Sequence, residues 1–393
     1  MIMPTLKRKI QGLFLLAGAY VFAPVFAFLL RRRRRQTKAG RPLKILAFPQ
    51  MTRVGDMACA TPVFRALKER YPEAHLAVFT SVLAAGIVRH NPRIDELIVY
   101  EEGGEFLGFW GQFRLFKKIR RGRYDWAFIL TNNAFHTFIA YFGLIPRRIK
   151  TRRERRGWLE FLTDWFNTRT LLYRDHTYLP RHYLALLEAI DIHNPREAPE
   201  VFPTAQGRRK AAAFLGENGV ASGDFLVGIA VTAGNKIKEW GVGNFAGLAD
   251  ALVERYGARI LFIGSGRDRI PIEETRRRMR HPASIATDFS LEELPALMER
   301  LSIFISVDTG PLFVAHALNV PVVDIVGPID PAEQSPQGER AMLVLPTGVA
   351  PSSFVMAAPG AKEAHNRALA AIGVEDVLNA VEVLVKRLGL VGR

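Results

Sequence analysis

From Leu43 onward, short apolar runs alternate with amphipathic stretches. KILAF (Lys44–Phe48), HLAVFT (His75–Thr80), ELIVY (Glu96–Tyr100) and DWAFIL (Asp125–Leu130) predict strands, and Thr61–Arg70 predicts a helix. Residues 145–200 break the rhythm: they are rich in arginine and aromatics, then in proline, and Pro195, Pro199 and Pro203 mark a linker. The alternation then resumes. Strands fit Asp224–Ala230, Ala258–Gly264, Ser302–Ser306 and Pro321–Val326, with helices at Phe245–Tyr256, Arg267–Arg280, Leu291–Glu299 and Leu312–Leu318. This order predicts an α/β protein of two Rossmann-like, doubly wound domains with a cleft between them. A last helix, Val374–Leu388, carries apolar residues at helical spacing.

The N-terminal region follows another pattern. Ile10–Leu30 is an apolar run of 21 residues whose only strongly polar member is Gln11. As one helix it would be about 31 Å long, enough to cross a bilayer core. A buried core helix would show a polar stripe, which this run lacks, and a cleaved signal peptide would need a small-residue cleavage site ahead of the arginines. The run therefore predicts one hydrophobic membrane helix. Three basic residues precede it and seven follow, an asymmetry that places the rest of the chain on the cytoplasmic face. Pro24 keeps two geometries open, a crossing helix and a bent, re-entrant one.

Charge sharpens this picture. The formal net charge is +16. Residues 1–41 hold ten basic and no acidic residues, and residues 147–156 hold seven basic residues and Glu154. These two segments account for the whole excess, so the remaining 342 residues are neutral. Such confinement, without a base-reading module, argues against nucleic acid as a partner. The second segment reads either as a solvated loop or as a contact for an anionic membrane surface or acceptor phosphates. Trp158, Phe161, Leu162, Trp165 and Phe166 follow it directly and favour contact. The single cysteine, Cys59, excludes a disulfide scaffold and a cysteine-based zinc site.

Three segments carry candidate chemistry. Arg53-Val54-Gly55-Asp56 follows the first strand, where ligand crevices of parallel sheets open. Asp56 there suits either a general base or a helix N-cap. Thr232 to Trp240 follows the first strand of the second half, and reads as a phosphate-binding loop with Lys238 or as a solvated loop. Ser306-Val307-Asp308-Thr309-Gly310-Pro311 reads as an anion site or an ordinary strand-to-helix cap. Gly264-Ser265-Gly266 is a further glycine-rich turn, and neither a Walker sequence nor a full dinucleotide fingerprint is present.

Taken in order, these segments resemble glycosyltransferase family 9, the lipopolysaccharide heptosyltransferase-like enzymes. The similarity runs from about Leu43 to Leu388. It rests on Arg53 to Asp56 with Ala60-Thr61-Pro62-Val63 and Arg65-Ala66-Leu67, on Lys238-Glu239-Trp240 with Phe245, and on Asp308-Thr309-Gly310-Pro311 with Ala315, Ala317-Leu318 and Pro321. Val326-Gly327-Pro328 and Pro331 continue it. The resemblance implies a GT-B fold and an inverting, metal-independent transfer of a heptose or related sugar. The donor would be a nucleotide sugar, ADP-heptose being the best known. The acceptor would be a lipid-linked saccharide of the lipopolysaccharide core. It implies no cofactor and no obligatory protein partner, and a location at the bacterial inner membrane.

By the same resemblance, Asp56 is the catalytic base, Arg53 binds acceptor and Lys238 stabilises the departing diphosphate. Thr232, Thr309 and Gly310 contact donor phosphates, and Asp308 contacts the donor. The implied organisation is a membrane anchor at 1–41, an acceptor domain at 42–203, a nucleotide-sugar domain at 204–372, and a final helix at 373–393 packing back on the first domain. The chain departs from the family pattern at Phe313, where a histidine is usual, with His316 one helical turn later, and at Gln50, where arginine is frequent. Phe313 supports the alternative of a catalytically inactive, membrane-tethered protein that binds nucleotide sugar or glycolipid.

Overall fold

A computed structural model describes residues 5–36, 41–101, 104–154, 157–327, 329–346 and 369–390. The elements run in the order α1 (Thr5–Val21), α2 (Ala23–Gln36), β1 (Lys44–Phe48), α3 (Val54–Arg70), β2 (His75–Ser81), α4 (Val82–Val88), β3 (Glu96–Tyr100), α5 (Gly108–Gly122), β4 (Trp126–Ile129), α6 (Ala134–Phe142), β5 (Arg147–Arg152), α7 (Trp158–Thr163), β6 (Arg169–Leu172) and α8 (Leu179–Ala185). They continue through α9 (Ala205–Glu217), β7 (Leu226–Ala230), α10 (Val242–Tyr256), β8 (Arg259–Ile263), α11 (Arg269–Arg278), β9 (Ser284–Ala286), α12 (Leu294–Met298), β10 (Ile303–Val307), α13 (Gly310–Ala317), β11 (Val322–Ile325), α14 (Pro331–Gln334), β12 (Ala341–Val344) and α15 (Val374–Leu388). Two compact units result. The first comprises Met1–Ala85, Asn91–Arg174 and Pro180–Ala198, and the second Gly86–His90, Asp175–Leu179 and Pro199–Arg393.

The first unit holds a parallel sheet of order β3-β2-β1-β4-β5-β6, so the winding reverses between β1 and β4. β1 is buried over four of its five residues, as a strand covered on both faces should be. In α3, Pro62 lacks the N–H that would bond Ala58 O. The hydroxyl of Thr61 donates to that carbonyl instead, at 2.7 Å, so the helix continues through the proline with its backbone satisfied.

The second basic segment is a strand, not a loop. β5 pairs with β4 and β6, and its alternation sends Arg148 and Lys150 inward. Arg148 donates to Phe166 O at 2.6 Å and to Ile145 O, and its burial lowers its pKa to about 10. Lys150 is fully buried and reaches Asp164 Oδ1 at 3.0 Å. On the other face, Arg147 lies over the Trp126 ring, 4.9 Å from its centre. Arg148 and Lys150 thus tie β5 to the turn after α7, and residues 155–156 of the segment lie outside the described residues.

The single membrane helix is also replaced. Two helices stand in its place, Gln11–Val21 and Ala23–Arg35 bent by 71°, and among the described residues no single helix is long and apolar enough to cross a membrane. The break at Phe22 lies two residues before Pro24, which is tolerated in the first turn of α2 but not in a helix interior. Leu16 and Ala19 of α1 pack with Ala134, Phe138, Tyr141 and Phe166 of the first unit, and Phe26 and Leu30 of α2 join them.

The second unit repeats the winding with order β12-β11-β10-β7-β8-β9, all parallel, reversing between β7 and β10. Gly228 on β7 makes room for Leu301, since a Cβ there would stand 2.5 Å from a methyl carbon of that side chain and force it to move. Val377, Leu378, Val381 and Leu384 of α15 are buried in this unit's core, beside Leu248, Leu252 and Ile325. The final helix thus completes the second unit, where a return to the first domain was anticipated. The apolar stripe that demanded a partner found β11, β12 and α10, its nearest uncovered surfaces.

Candidate active site

In the second unit the chain leaves β7 through Thr232 and forms a short 3-10 turn, Lys236–Lys238. It leaves β10, the neighbouring strand across the switch point, at Asp308. This places Lys238 against Asp308, and the Nζ of the lysine donates to Oδ2 of the aspartate. The side chains are only 14% and 6% exposed. A third group belongs to the cluster. Asp324 on β11 lies fully buried beside Ser306 in the strand register. Burial pushes its carboxyl pKa well up and the charge of Asp308 adds to this, while Ser335 and Lys238 pull the other way. Burial and the neighbouring Asp308 thus favour the protonated form of Asp324.

Thr309 and Gly310 stand at the start of α13. Thr309 is the extended N-cap residue, and its side chain makes no capping bond. Pro311 has no N–H, so its position in the first turn leaves no unsatisfied donor. Thr232 is placed differently from its anticipated role. Its hydroxyl donates to Asp268 Oδ1 at 2.8 Å, so its hydrogen is already engaged. Asp268 also accepts from the Ser265 N–H and hydroxyl. Burial would raise the Asp268 pKa, but these bonds, with the charge of Arg267, lower it below the usual carboxylate range. The glycine-rich turn at 264–266 is thus a carboxylate-capped turn holding Thr232. Phe313 is buried in α13, and burial lowers the pKa of His316.

In the first unit, Arg53 occupies the N-cap position of α3 with extended backbone, and Asp56 lies in the first helical turn. Asp56 is therefore not the N-cap, although the helix dipole favours its negative charge there. Arg53 Nη1 and Asp56 Oδ2 are 3.9 Å apart, an ion pair without a hydrogen bond. Asp56 also acts on Tyr183 of α8. Burial pushes that phenol well above its usual pKa, and Asp56, Cys59 and Tyr173 push the same way while Arg153 opposes them. Across the switch from β1, the His136 ring of α6 lies 5.3 Å from that of Phe48, tilted by 31°, and is bonded to Thr131 Oγ1 at 2.9 Å. Burial and then Lys150 bring its pKa down to about 3, so it is a neutral imidazole.

Asp324, Asp268, Tyr183 and His136 were not singled out from sequence. Only Asp324 carried a signal, a lone charge within the apolar run Pro321–Val326. Pro328, part of the family-like segment, lies outside the described residues. Among the described residues no group of three or more His, Cys, Asp or Glu side chains is arranged to hold a metal ion.

Two consecutive Rossmann-like units with polar groups gathered at each switch point define a two-domain, doubly wound α/β protein. Residues 112–357 match glycosyltransferase family 9 (heptosyltransferase). Lipopolysaccharide heptosyltransferase 2 of Salmonella typhimurium is 27% identical over 305 residues, covering 74% of this chain and 85% of that protein. A glycosyl transferase family 9 structure from Veillonella parvula superimposes with a TM-score of 0.78 at 23% identity, covering 89% of this chain and 99% of the other. Escherichia coli ADP-heptose lipopolysaccharide heptosyltransferase II gives 0.70 at 21% identity, covering 88% and 100%. The chain belongs to glycosyltransferase family 9, and it is a lipopolysaccharide heptosyltransferase-like glycosyltransferase. Lys238, Asp308, Thr309 and Gly310 lie within the matched residues, while Arg53 and Asp56 precede them.

Proposed function

We propose that this chain transfers a heptose or related sugar from a nucleotide-sugar donor to a lipid-linked acceptor of the lipopolysaccharide core, with inversion and without a metal requirement. The observation that carries the reading is the Lys238–Asp308 pair at the switch point of the second sheet. An ammonium has three donors, and the carboxylate of Asp308 takes one and fixes the direction of the others. Those others are free to meet the diphosphate as its bond to the anomeric carbon breaks. Asp56 takes the proton from the acceptor hydroxyl whose oxygen forms the new bond, so one base and one cation suffice. Arg53, exposed beside it, orients an anionic acceptor. Thr309 and Gly310 receive phosphate oxygens, and Thr232 shapes the loop through Asp268.

The relative from Escherichia coli is named for ADP-heptose, which makes that sugar the first donor to test. The test is a binding and turnover screen of ADP-, UDP-, GDP- and dTDP-sugars with purified protein. Turnover of ADP-heptose with a core acceptor is expected, and failure of every nucleotide sugar to bind overturns the reading. Binding without turnover would instead favour the inactive binding protein, to which Phe313 points. The site of action under this proposal is the cytoplasmic face of the bacterial inner membrane, where the donor is soluble and the acceptor is lipid-linked.

A further inference from the structure

The N-terminal helix pair is apolar on two sides, and among the described residues only one is covered. Gly12, Leu16 and Ala19 form the inward stripe of α1. A Cβ on Gly12 would stand 2.7 Å from the Leu159 side chain, so the glycine lets α1 settle closely on α7. Phe26 of α2 meets the rings of Tyr141 and Phe142 at 5.2 and 5.3 Å between centres. Tyr20 meets Phe166 at 5.0 Å. The outward side carries Phe14, Val21 and Phe28, with Phe14 72% exposed. The adjoining α7 and the turn after it repeat the division: Leu159 and Leu162 pack inward, while Trp158, Phe161 and Trp165 face out, Trp165 77% exposed. Large aromatic residues in such numbers on one exposed face mark an interaction surface.

The charge next to this face selects its occupant. Arg31, Arg32, Arg34 and Arg35 are exposed at the end of α2, and no acidic residue occurs in residues 1–41. An apolar face rimmed by arginine, with tryptophans at its margin, is complementary to an anionic lipid leaflet. The geometry fits an in-plane position. Gln11–Val21 is about 16 Å long at the usual helical rise, near half a hydrocarbon core, and the chain then turns by 71°.

We infer that α1, α2 and the outward face of α7 form a monotopic docking surface that lies within one anionic lipid leaflet, with the arginines at headgroup level. This inference does not depend on the donor or acceptor proposed above. It accounts for the apolar run, for which the sequence left a crossing helix and a bent, re-entrant one open.

The test uses the purified full chain and vesicles of phosphatidylcholine with or without phosphatidylglycerol. Co-sedimentation with the anionic vesicles is expected, with much weaker binding to neutral ones. Replacing Arg34 and Arg35 with serine should reduce partition about 30-fold, at roughly fivefold per basic residue. The triple variant F14S/F28S/W165S should lose binding at unchanged melting temperature, since all three side chains are exposed. Quenching of tryptophan fluorescence by lipids brominated along the acyl chain should be present in the wild-type chain and reduced in W165S. An N-terminal tag should remain open to protease added outside sealed vesicles. Three results would overturn the inference: no binding to anionic vesicles, wild-type binding by the triple variant, or protection of the tag, which would mean crossing. Self-association of the chain without lipid that the triple variant abolishes would also overturn it, by assigning the face to a second copy.

Discussion

The two switch points handle charge in opposite ways. In the first unit, Arg53 and Asp56 stand 3.9 Å apart with the arginine exposed, an ion pair without a hydrogen bond between the two side chains. In the second, Lys238 and Asp308 are in direct contact, largely buried, beside the fully buried Asp324. The difference matches two chemical duties. A base must gain and lose a proton in every cycle, which requires access to acceptor and water. Groups that stabilise a leaving diphosphate act best when their dipoles and charges are fixed beforehand. Under the proposed mechanism, the first half exchanges a proton and the second holds a charge still.

The sharpest way to break this contrast is Asp56→Asn. It should lower kcat by about 10²–10⁴-fold, the usual contribution of a general base, with nucleotide-sugar binding and melting temperature nearly unchanged. Steady-state kinetics beside calorimetric binding of ADP-heptose decide it, and wild-type turnover would remove Asp56 from the mechanism. Lys238→Ala should act on both function and fold. Transfer should fall by roughly 10²–10³-fold, as for removal of one charge-stabilising donor. Because Asp308 would remain as a buried carboxylate without its partner, stability should also drop, by about 3–5 kcal/mol for a fully buried pair. A denaturant titration of each variant separates the two halves: a stability loss in both, or in neither, would erase the distinction.

Much of the fold was legible because central strands are continuous apolar runs. Lys44–Phe48 and Glu96–Tyr100 coincide with β1 and β3 residue for residue. The strands that escaped notice, β6, β9 and β12, are edge strands of three or four residues, partly exposed and so without a clear apolar run. β5 escaped because its inward residues include Arg148 and Lys150, whose burial depends on Phe166 O and Asp164 farther along the chain. The positions of Lys238 and Asp308 after their strands could be read locally, but their contact spans 70 residues and needs the strand order to exist. Thr232 shows the limit most clearly. Its location suggested a phosphate contact, and only the fold brings Asp268 to its hydroxyl.

That placement gives a third prediction. Thr232→Val keeps the shape and removes a hydrogen bond to a carboxylate, which contributes roughly 1.5–3 kcal/mol. Stability should fall by that order while the donor KM stays near wild type. A large rise in donor KM at unchanged stability would return Thr232 to the phosphate.

The smallest effect per unit of change separates the two units by pH. His136 in the first unit has its pKa brought down to about 3, and His182 to about 4, in each case chiefly by burial. Each is neutral when folded but gains a proton when unfolded below about 6.5, so the unfolded chain binds more protons in that window. Stability of the first unit should therefore fall as pH drops from about 6.5 towards 4, by up to roughly 1.4 kcal/mol per pH unit for each histidine. Asp324 in the second unit has the opposite sign. Its raised pKa keeps it protonated when folded, while the unfolded chain releases the proton above about 3.9, so stability is lost as pH rises towards the folded pKa. Hydrogen exchange measured by mass spectrometry across pH 4 to 8 reads the units separately. Slow exchange in β1 and β4 should be lost first at the acid end, and His136→Phe should flatten that trend. In β10 and β11, Asp324→Asn should flatten the loss of protection with rising pH. If both units lose protection in the same direction, the buried groups are not what sets their response, and the contrast between the two switch points must rest on the kinetics of Asp56 and Lys238 alone.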